Sequence, residues 1–306
     1  MHGWIIIDKP LGLGSTQAVS AVKRALRTGG YGKFKVGHGG TLDPLATGVL
    51  PIAVGEATKL AGRLLDGDKV YAFTIRFGEQ TDTLDREGKV IATSPVRPTM
   101  AAVAAVAAVL PRFTGPIDQV PPAYSALKVD GERAYDLARA GETVELKSRA
   151  VTIHDLRVSP DDPMGDDDLT LVAHVSKGTY IRSLARDIAL ALGTVGHVVM
   201  LRRIRAGPFG LEPAITLDKL AELGQSRALE GILLPLRAGL DDIPAFPLTP
   251  DQAGALRQGR VLAGIAATDG AAFAMLDDVP VALVDVIAGE VRVVRGFNLT
   301  MSKEES

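Results

Sequence analysis

Apolar runs and alternating positions predict strands in the first two thirds of the chain. Trp4–Ile7 is a continuous apolar run, which is typical of a buried strand. Leu169–Val175 alternates between apolar and other residues, and Val195–Ile204 is rich in β-branched residues. Lys69–Gly78 also alternates, so that one face of a strand would carry four large apolar residues: Tyr71, Phe73, Ile75 and Phe77.

Helical periodicity lies between these strands. Ser15 or Thr16 can cap a helix that runs to about Arg27, and Thr99 can cap an alanine-rich helix over Ala101–Leu110. A third apolar stripe predicts an amphipathic helix that ends near Gly193: Ile181, Leu184, Ala185, Ile188 and Leu192. Because strands and helices alternate irregularly, this order predicts an α+β fold rather than a regular βαβ repeat.

A change in composition predicts a domain boundary near residue 240. The segment Gly239–Pro250 contains DDIPAFPLTP, whose prolines and acidic residues are typical of a linker. Beyond it, short apolar runs alternate with turn signals such as DG and AGE, which favours a small β-rich module. We therefore predict two domains, residues 1–240 and residues 241–306.

Cysteine is absent from the chain, which excludes disulfides, thiolate metal sites, iron–sulfur clusters and cysteine nucleophiles. The N-terminal residues lack the basic start and the apolar core of a signal peptide. No uncharged apolar stretch is long enough to form a membrane-spanning helix. From these features we expect a cytoplasmic protein that does not contact a membrane.

Charge is distributed unevenly, although the net charge is only −2. Residues 1–64 carry +5 and residues 172–212 carry +4, whereas residues 161–171 and residues 241–306 each carry −5. The net value argues against a polyanionic partner, but the two basic segments argue for one. The aspartate-rich stretch Asp161–Asp168 is expected to be a solvated loop.

The densest group of chemistry-bearing residues is Gly37–Pro51, GHGGTLDPLATGVLP. Its glycines and its Asp-Pro pair predict a bent backbone that can approach a ligand closely. It lacks the Gly-Lys-Ser/Thr of a phosphate-binding loop, and one aspartate does not make the carboxylate pair of a glycosidase. Local sequence also allows a structural turn in which Asp43 caps a short helix. We expect no metal site, because His38 lacks a second histidine at ligand spacing and the others are scattered: His2, His154, His174 and His197.

Five segments of the chain resemble the TruB family, the bacterial tRNA pseudouridine-55 synthases, and occur in the same order. The longest is GHGGTLDPLATGVLPIAVGEATKL. The others are Ile7-Asp8-Lys9-Pro10 with Gly14-Ser15; Lys69-Val70-Tyr71; QVPPAYSALK from Gln119 with Gly131, Tyr135 and Ala138-Arg139; and KGTYIRSL from Lys177 with Leu201-Arg202-Arg203. The resemblance covers residue 3 to about residue 210. The tail from about Ala245 resembles, more weakly, a PUA-type RNA-binding module.

This resemblance implies a pseudouridine synthase domain built on a mixed, mainly antiparallel sheet with flanking helices, followed by a small PUA-like domain. It implies isomerisation of uridine to pseudouridine at position 55 in the T-loop of tRNA. Asp43 would be the nucleophile that acts on a flipped-out uridine, with Tyr71 and Arg182 as further catalytic candidates. Tyr71 would stack on the target uracil, and the pocket around the nucleotide would be lined by three more residues: His38, Tyr180 and Leu201.

The chemistry of this isomerisation suits a single carboxylate. The C1′–N1 bond breaks and C1′ rejoins C5 of the same base, so the reaction demands neither a redox cofactor nor a metal, and we expect no cofactor. A nearby guanidinium keeps a buried carboxylate ionised, and Arg182 can pair with Asp43 in this way. The residues leave open whether Asp43 attacks C1′, attacks C6 or removes a sugar proton, and which group removes the C5 proton.

Basic side chains supply candidates for contacts with the RNA backbone: Lys23, Arg24, Lys33, Lys35, Arg202 and Arg203. We therefore expect the T-arm of tRNA as the partner, and a monomer that needs no other protein. Two alternatives remain open from the sequence. One is an RNA-binding protein with an inactive pocket, and the other is a guide-RNA-dependent synthase of the archaeal or eukaryotic type.

Overall fold

The computed structural model describes residues 1–96, 103–125, 127–129, 132–140, 146–161, 167–240, 243–265 and 267–299. Its strands are β1 (Gly3–Lys9), β2 (Val36–His38), β3 (Ala46–Val54), β4 (Lys69–Phe77), β5 (Glu79–Thr81), β6 (Val90–Thr93), β7 (Gly115–Gln119), β8 (Lys128–Val129), β9 (Glu132–Arg133), β10 (Arg149–Val158), β11 (Asp168–Val175), β12 (Gly196–Ala206), β13 (Leu234–Pro235), β14 (Ala245–Pro247), β15 (Gly270–Leu276), β16 (Val279–Ile287) and β17 (Glu290–Gly296). Its helices are α1 (Ser15–Thr28), α2 (Ala61–Asp66), α3 (Val103–Val109), α4 (Ala134–Arg139), α5 (Ile181–Ala191), α6 (Leu217–Gln225) and α7 (Pro250–Arg257). Among the described helices, none has the length and apolar character needed to cross a bilayer.

A nine-stranded sheet forms the larger part of the fold. Its strand order is β13-β1-β3-β12-β4-β11-β10-β7, with β2 paired to β3 outside this path. The pairing of β12 with β3 is parallel, whereas the other pairings of this sheet are antiparallel in the described chain. This arrangement confirms the predicted α+β class and the mixed, mainly antiparallel sheet.

Three apolar clusters surround this sheet because its strands bury residues on both faces. In β1, Ile5 and Ile7 pack against α1 and α6, whereas Trp4 and Ile6 face a second cluster on the other side. The third cluster joins α5 to β4 and β11, and it contains the alternating aromatic face predicted for β4. Tyr71 and Leu201 contact both the α1 cluster and the α5 cluster, so they mark the junction between the two halves of the sheet.

A second sheet, in the order β14-β15-β16-β17, forms the C-terminal module and confirms that this region is rich in strands. One face of this second sheet packs on a core of its own, and the other face contributes to a core that it shares with the larger part of the fold. Phe273, Met275 and Phe297 belong to the same buried cluster as Trp4 of the large sheet and Leu236, which directly follows β13. The boundary between residues 240 and 241 stays a prediction, and residues 241–242 lie outside the described chain.

Several predicted helix details differ in the structure. The N-cap of α1 is Gly14, whose backbone N–H donates to Oε1 of Gln17, because the Ser15 hydroxyl is used elsewhere. The predicted Thr99 cap and Ala101 start lie outside the described residues, which contain α3 from Val103. The predicted end of α5 near Gly193 is confirmed, since this glycine has a φ of 75°.

The aspartate-rich stretch is only partly described, because residues 162–166 lie outside the described ranges. Its last residue, Asp168, begins β11 and binds Arg76 of β4 through both carboxylate oxygens, at 2.8 Å each. The expectation of a solvated loop is therefore wrong for Asp168. The antiparallel register aligns these two residues directly, which the sequence did not reveal.

Candidate active site

Each backbone carbonyl of the segment Gly40–Pro44 accepts a hydrogen bond from another part of the protein. Nη2 and Nη1 of Arg203 donate to the carbonyls of Gly40 and Thr41, each at 3.2 Å. The Ser15 hydroxyl donates to the Leu42 carbonyl at 3.0 Å, and it also accepts a 2.8 Å hydrogen bond from the Leu42 N–H. The loop that presents Asp43 is therefore clamped from α1 and from β12.

The remaining two carbonyls of this loop are bound as well. The Asp43 carbonyl accepts from the Ala46 N–H at 3.0 Å, and the Pro44 carbonyl accepts from the Gly12 N–H at 2.8 Å. Lys9 Nζ lies beneath the loop and donates to the Pro44 carbonyl at 3.4 Å and to the Leu13 carbonyl at 2.6 Å. Because unpaired buried carbonyls are costly, this network fixes the backbone around Asp43.

Arg203 is not an RNA-backbone residue, contrary to the sequence prediction. Its side chain is 1% exposed, and Nε donates to the Val49 carbonyl at 2.8 Å, so the guanidinium is used entirely inside the protein. The neighbouring Arg202 points the other way, as alternation along β12 requires. It pairs with both oxygens of Asp8 at 3.0 and 2.8 Å and stays one third exposed.

Arg182 is the centre of a polar network in the candidate site. It lies two residues after Tyr180, the N-cap residue of α5, and its side chain is 12% exposed. Nη2 donates to Oδ2 of Asp43 at 3.3 Å and to the Tyr124 carbonyl at 3.0 Å. Nη1 donates to the Thr83 carbonyl at 2.9 Å and to Oδ2 of Asp85 at 3.2 Å. The guanidinium that pairs with Asp43 is thus also fixed by two backbone carbonyls and by the Asp85 carboxylate.

Asp85 is a site residue that the sequence reasoning missed. Its Oδ1 accepts from the Thr83 hydroxyl at 2.6 Å and from the Glu87 N–H at 3.0 Å, while its Oδ2 faces Arg182. A repeated tripeptide in the sequence is the feature that could have identified Asp85 as a site residue. The tripeptide Thr-Leu-Asp occurs at residues 41–43 and again at residues 83–85, and both aspartates bind the same arginine.

The structure corrects two expectations about Asp43. Its side chain is 55% exposed, so it is not buried before a ligand binds. It also does not cap a helix, because the chain passes through a turn and enters β3 at Ala46. The exposed carboxylate is available to a ligand, and Arg182 holds it in one orientation through a charge-assisted hydrogen bond.

A narrow cleft brings three of the predicted site residues together: Asp43, Arg182 and Leu201. Asp85 and Met200 also line it. Among the described residues, those that line the cleft do not include three other predicted site residues: Tyr71, Tyr180 and His38. Tyr71 lies on β4 beside Leu201 at the junction of the two apolar clusters, and the Tyr180 N–H donates to Oε1 of Gln119 at 2.8 Å. Arg149 lies over the Tyr180 ring, 5.8 Å from its centroid.

Two titratable groups near the loop have lowered pKa values. Burial, opposed by Asp43 and assisted by the charge of Arg203, lowers the pKa of Lys9 to about 8. Burial and the nearby Arg203 also lower the pKa of His38, so its imidazole is neutral at pH 7. Nδ1 of His38 is buried and has no hydrogen-bond partner among the described residues.

The remaining candidates for RNA-backbone contacts are exposed. Lys23 and Arg24 lie on the outer face of α1, and Lys33 and Lys35 lie in the loop that leads from α1 to β2. These four side chains, on or just after the helix that packs against β1, β2 and β3, and Arg202 on the neighbouring strand β12 therefore remain candidates. Their contact with the RNA backbone stays a prediction.

Two models of known protein families match the chain. The N-terminal domain of the TruB family of pseudouridylate synthases matches residues 23–181. The C-terminal domain of tRNA pseudouridylate synthase B matches residues 182–241, which begin inside α5 and continue through β12. The chain belongs to the TruB family.

Relatives of the TruB family match almost the whole chain. A protein of Novosphingobium aromaticivorans named tRNA pseudouridine synthase B is 67% identical over 303 residues, which cover 98% of each chain. A protein of the same name from Zymomonas mobilis subsp. mobilis is 60% identical over 298 residues, covering 97% of this chain and 96% of the relative. The similarity therefore extends past residue 241 into the C-terminal sheet.

Solved structures also share this architecture. A chain in a structure of an H/ACA RNP bound to a substrate RNA containing 2'-deoxyuridine has a TM-score of 0.72 and 25% identity, covering 96% of this chain and 84% of that chain. A chain in a Cbf5-Nop10-Gar1 complex gives the same values. The fold of this protein is therefore shared with a chain of an RNP and with a chain of a Cbf5-Nop10-Gar1 complex.

Proposed function

We propose that this TruB-family protein converts uridine to pseudouridine at position 55 in the T-loop of tRNA, with Asp43 as the nucleophile. The protein is an isomerase of the pseudouridine synthase class that acts on tRNA. The observation that carries the proposal is the Asp43–Arg182 ion pair, because it sets an exposed, oriented carboxylate in a cleft walled by Leu201.

The reaction requires one bond to break and one to form. The C1′–N1 bond of uridine breaks, C1′ bonds to C5 of the same base, C5 loses its proton, and N1 gains one. Asp43 acts beside the sugar, while Arg182 keeps the carboxylate oriented. Since Asp43 is more than half exposed, the flipped nucleotide itself must exclude water from the reacting atoms.

Four further residues are proposed to hold the flipped nucleotide: Tyr71, Tyr180, His38 and Leu201. Stacking of a base on an aromatic ring contributes about 1–3 kcal/mol, which helps to offset the few kcal/mol that flipping costs. Tyr71 is half-buried on a strand, so its ring is held in place before the base arrives. The neutral imidazole of His38 can hydrogen-bond without adding charge to the pocket.

Replacement of Asp43 by Asn tests this function. We expect pseudouridine formation in a tRNA transcript to fall by about 10³-fold or more, because the amide is not a nucleophile. Binding of tRNA should change by no more than a few-fold. The measurements are pseudouridine mapping at position 55 and a filter-binding titration. Asp155→Asn, at an exposed carboxylate in β10, is the matched control and should retain full activity.

The same experiment separates the alternatives. An RNA-binding protein with an inactive pocket predicts that neither activity nor binding changes in Asp43→Asn. A guide-RNA-dependent enzyme predicts no modification of a bare tRNA transcript by the purified chain. We propose that the chain acts alone, as a monomer without a cofactor, in the cytoplasm where its tRNA substrate is found. Light scattering on the active preparation measures the oligomeric state.

A further inference from the structure

Two of the five histidines lie side by side on the large sheet, although 20 positions separate them in the sequence. His154 is in β10 and His174 is in β11, and their ring centroids are 4.8 Å apart. Asp68, immediately before β4, faces both of them. Its Oδ2 lies 3.1 Å from Nε2 of His154 and 3.7 Å from Nε2 of His174. These histidines are scattered in the sequence, and their proximity depends on the pairing of β10 with β11.

A β-bulge brings His154 to this position. In the pairing of β10 with β11, Ile153 opposes Val175 and Asp155 opposes His174, so His154 is the extra residue between them. Ile153 and Leu156 point into the α5 cluster, which leaves His154 on the opposite face. His174 shares that face, since its neighbours Ala173 and Val175 are both in the cluster. Bulges are known to redirect side chains at functional positions.

We propose that Asp68, His154 and His174 form a binding site for a zinc-class divalent cation. The three ligand atoms lie within 4.8 Å of one another, and these three residues form such a group within the described chain. A tetrahedral zinc ion with bonds of about 2.0–2.1 Å requires ligand atoms about 3.3–3.4 Å apart, so small side-chain rotations complete the geometry. Two imidazoles and one carboxylate also match the ligand preference of zinc rather than that of magnesium.

The neighbouring side chains determine the affinity of this site for a cation and the identity of its fourth ligand. Asp68 and His174 line a groove with Arg63 and Arg205, so a fourth coordination position opens toward solvent and would hold a water molecule. The ligands are between a third and a half exposed, and the two arginines repel a cation. We therefore expect a micromolar rather than a nanomolar dissociation constant.

The proposed role of the ion is to join three strands. Asp68 leads into β4, His174 lies on β11 and His154 lies on β10, and these strands are neighbours in the sheet. The site lies on the face opposite the cluster that contains α5, which carries Arg182. Occupancy should therefore raise stability and leave the isomerisation rate unchanged. Because the chain has no cysteine, thiolates do not compete for the ion.

Calorimetric titration of the full-length, chelator-treated protein with ZnCl₂ tests the proposal. We expect one ion per chain and, at zinc concentrations about a hundredfold above Kd, a rise of a few degrees in Tm. His154→Gln, His174→Gln and Asp68→Asn should each weaken binding at least about tenfold. MgCl₂ is the probe for non-specific divalent binding and should produce neither heat nor a shift in Tm.

His2→Gln is the matched control, because His2 with the N-terminal amine is a competing chelate elsewhere on the chain. This variant should bind zinc as the unaltered protein does. The proposal is overturned if zinc binding is lost in His2→Gln but kept in His154→Gln and His174→Gln, or if the unaltered protein binds only above about 1 mM. Unchanged isomerisation of tRNA by each variant shows that the substitutions leave the fold intact.

Discussion

Arg182 binds two carboxylates through different nitrogens, Asp85 through Nη1 and Asp43 through Nη2. The side chain of Asp85 is 14% exposed, whereas that of Asp43 is 55% exposed. Asp85 is therefore the fixed partner that positions the guanidinium, and Asp43 is the partner left accessible to substrate. This division explains why two identical Thr-Leu-Asp tripeptides can have different roles.

Replacement of Asp85 by Asn should lower kcat about 10- to 100-fold and change KM by no more than a few-fold. Loss of the anchoring charge lets Arg182 shift, and small displacements of a positioned group carry a cost of this size. Single-turnover kinetics on a tRNA transcript give both quantities. Glu87→Gln is the control, since this exposed residue contributes only its backbone N–H to Asp85. Equal kcat values for Asp85→Asn and the unaltered protein would contradict the positioning role.

Lys9 makes the free energy of unfolding depend on pH. Its pKa is about 8 in the folded protein and 10.5 in an exposed lysine, so both states are protonated below pH 8. Between pH 8 and 10.5 the unfolded state keeps a proton that the folded state has lost, and stability rises with pH in this window. Lys9→Met should remove part of this rise, on the order of 1–3 kcal/mol.

Urea denaturation at pH 7.5 and pH 10.5 measures the effect of Lys9. The exposed Lys23→Met variant is the control and should keep the rise of the unaltered protein. Lys69 has a pKa of about 8 for the same main reason, burial, so part of the rise should persist in Lys9→Met. A full rise in Lys9→Met would contradict the assignment.

At the scale of elements, the parallel pairing of β3 with β12 positions the site. This pairing aligns Leu201 with Ala46 and Arg203 with Gly48, so β12 brings one pocket residue and one loop clamp to the start of β3. Gly48 has a φ of 100°, and a Cβ built there would lie only 2.2 Å from the Arg203 carbonyl oxygen. The close approach of the two strands thus requires glycine at this position.

Gly48→Ala should therefore destabilise the protein by about 2–4 kcal/mol, because both the backbone conformation and the strand contact are disturbed. Chemical denaturation measures this difference. Gly37→Ala is the matched control on the neighbouring strand β2, where an added Cβ meets nothing within 4 Å. Similar unfolding free energies for the two variants would show that the β3–β12 contact tolerates a side chain.

At the scale of the whole molecule, basic and acidic segments lie on opposite faces of the large sheet at β1. Exposed basic residues of α1 and the following loop lie at the β1–β3 part: Lys23, Arg24, Lys33 and Lys35. The C-terminal module, which belongs to the acidic segment, packs against the opposite face of β1 through a shared apolar cluster. A net charge of −2 therefore coexists with an exposed basic surface.

Binding of tRNA should weaken with salt at a log–log slope of about −3.5 to −4.5 if about five phosphates are neutralised. The double variant Lys33→Ala/Lys35→Ala should reduce the magnitude of that slope by about 1.4–1.8. Filter binding over a range of salt concentrations measures it. The control replaces Arg112 and Arg157, exposed arginines near β10 on the far part of the sheet. Affinity that does not depend on salt would contradict the electrostatic interface.

The sequence by itself predicted strands β1, β4, β11 and β12, helices α1 and α5, and the motif that contains Asp43. These features depend on neighbouring residues: alternation in β4, the apolar stripe of α5 and the glycines before Asp43 are all local. The expectation that Arg182 pairs with Asp43 also came from the sequence, through the resemblance of two separate motifs to one family. The ion pair at 3.3 Å agrees with that expectation.

Only the tertiary structure decided which polar groups meet. Asp85 reaches Arg182 across 97 positions, and Arg203 reaches the Gly40 carbonyl across 163. The adjacent Arg202 and Arg203 look alike in the sequence, but alternation along β12 makes one accessible and buries the other. The His154–His174 pair likewise depends on a bulge in β10. Strand register determines the last two of these features, and register arises from packing of the whole sheet rather than from local composition.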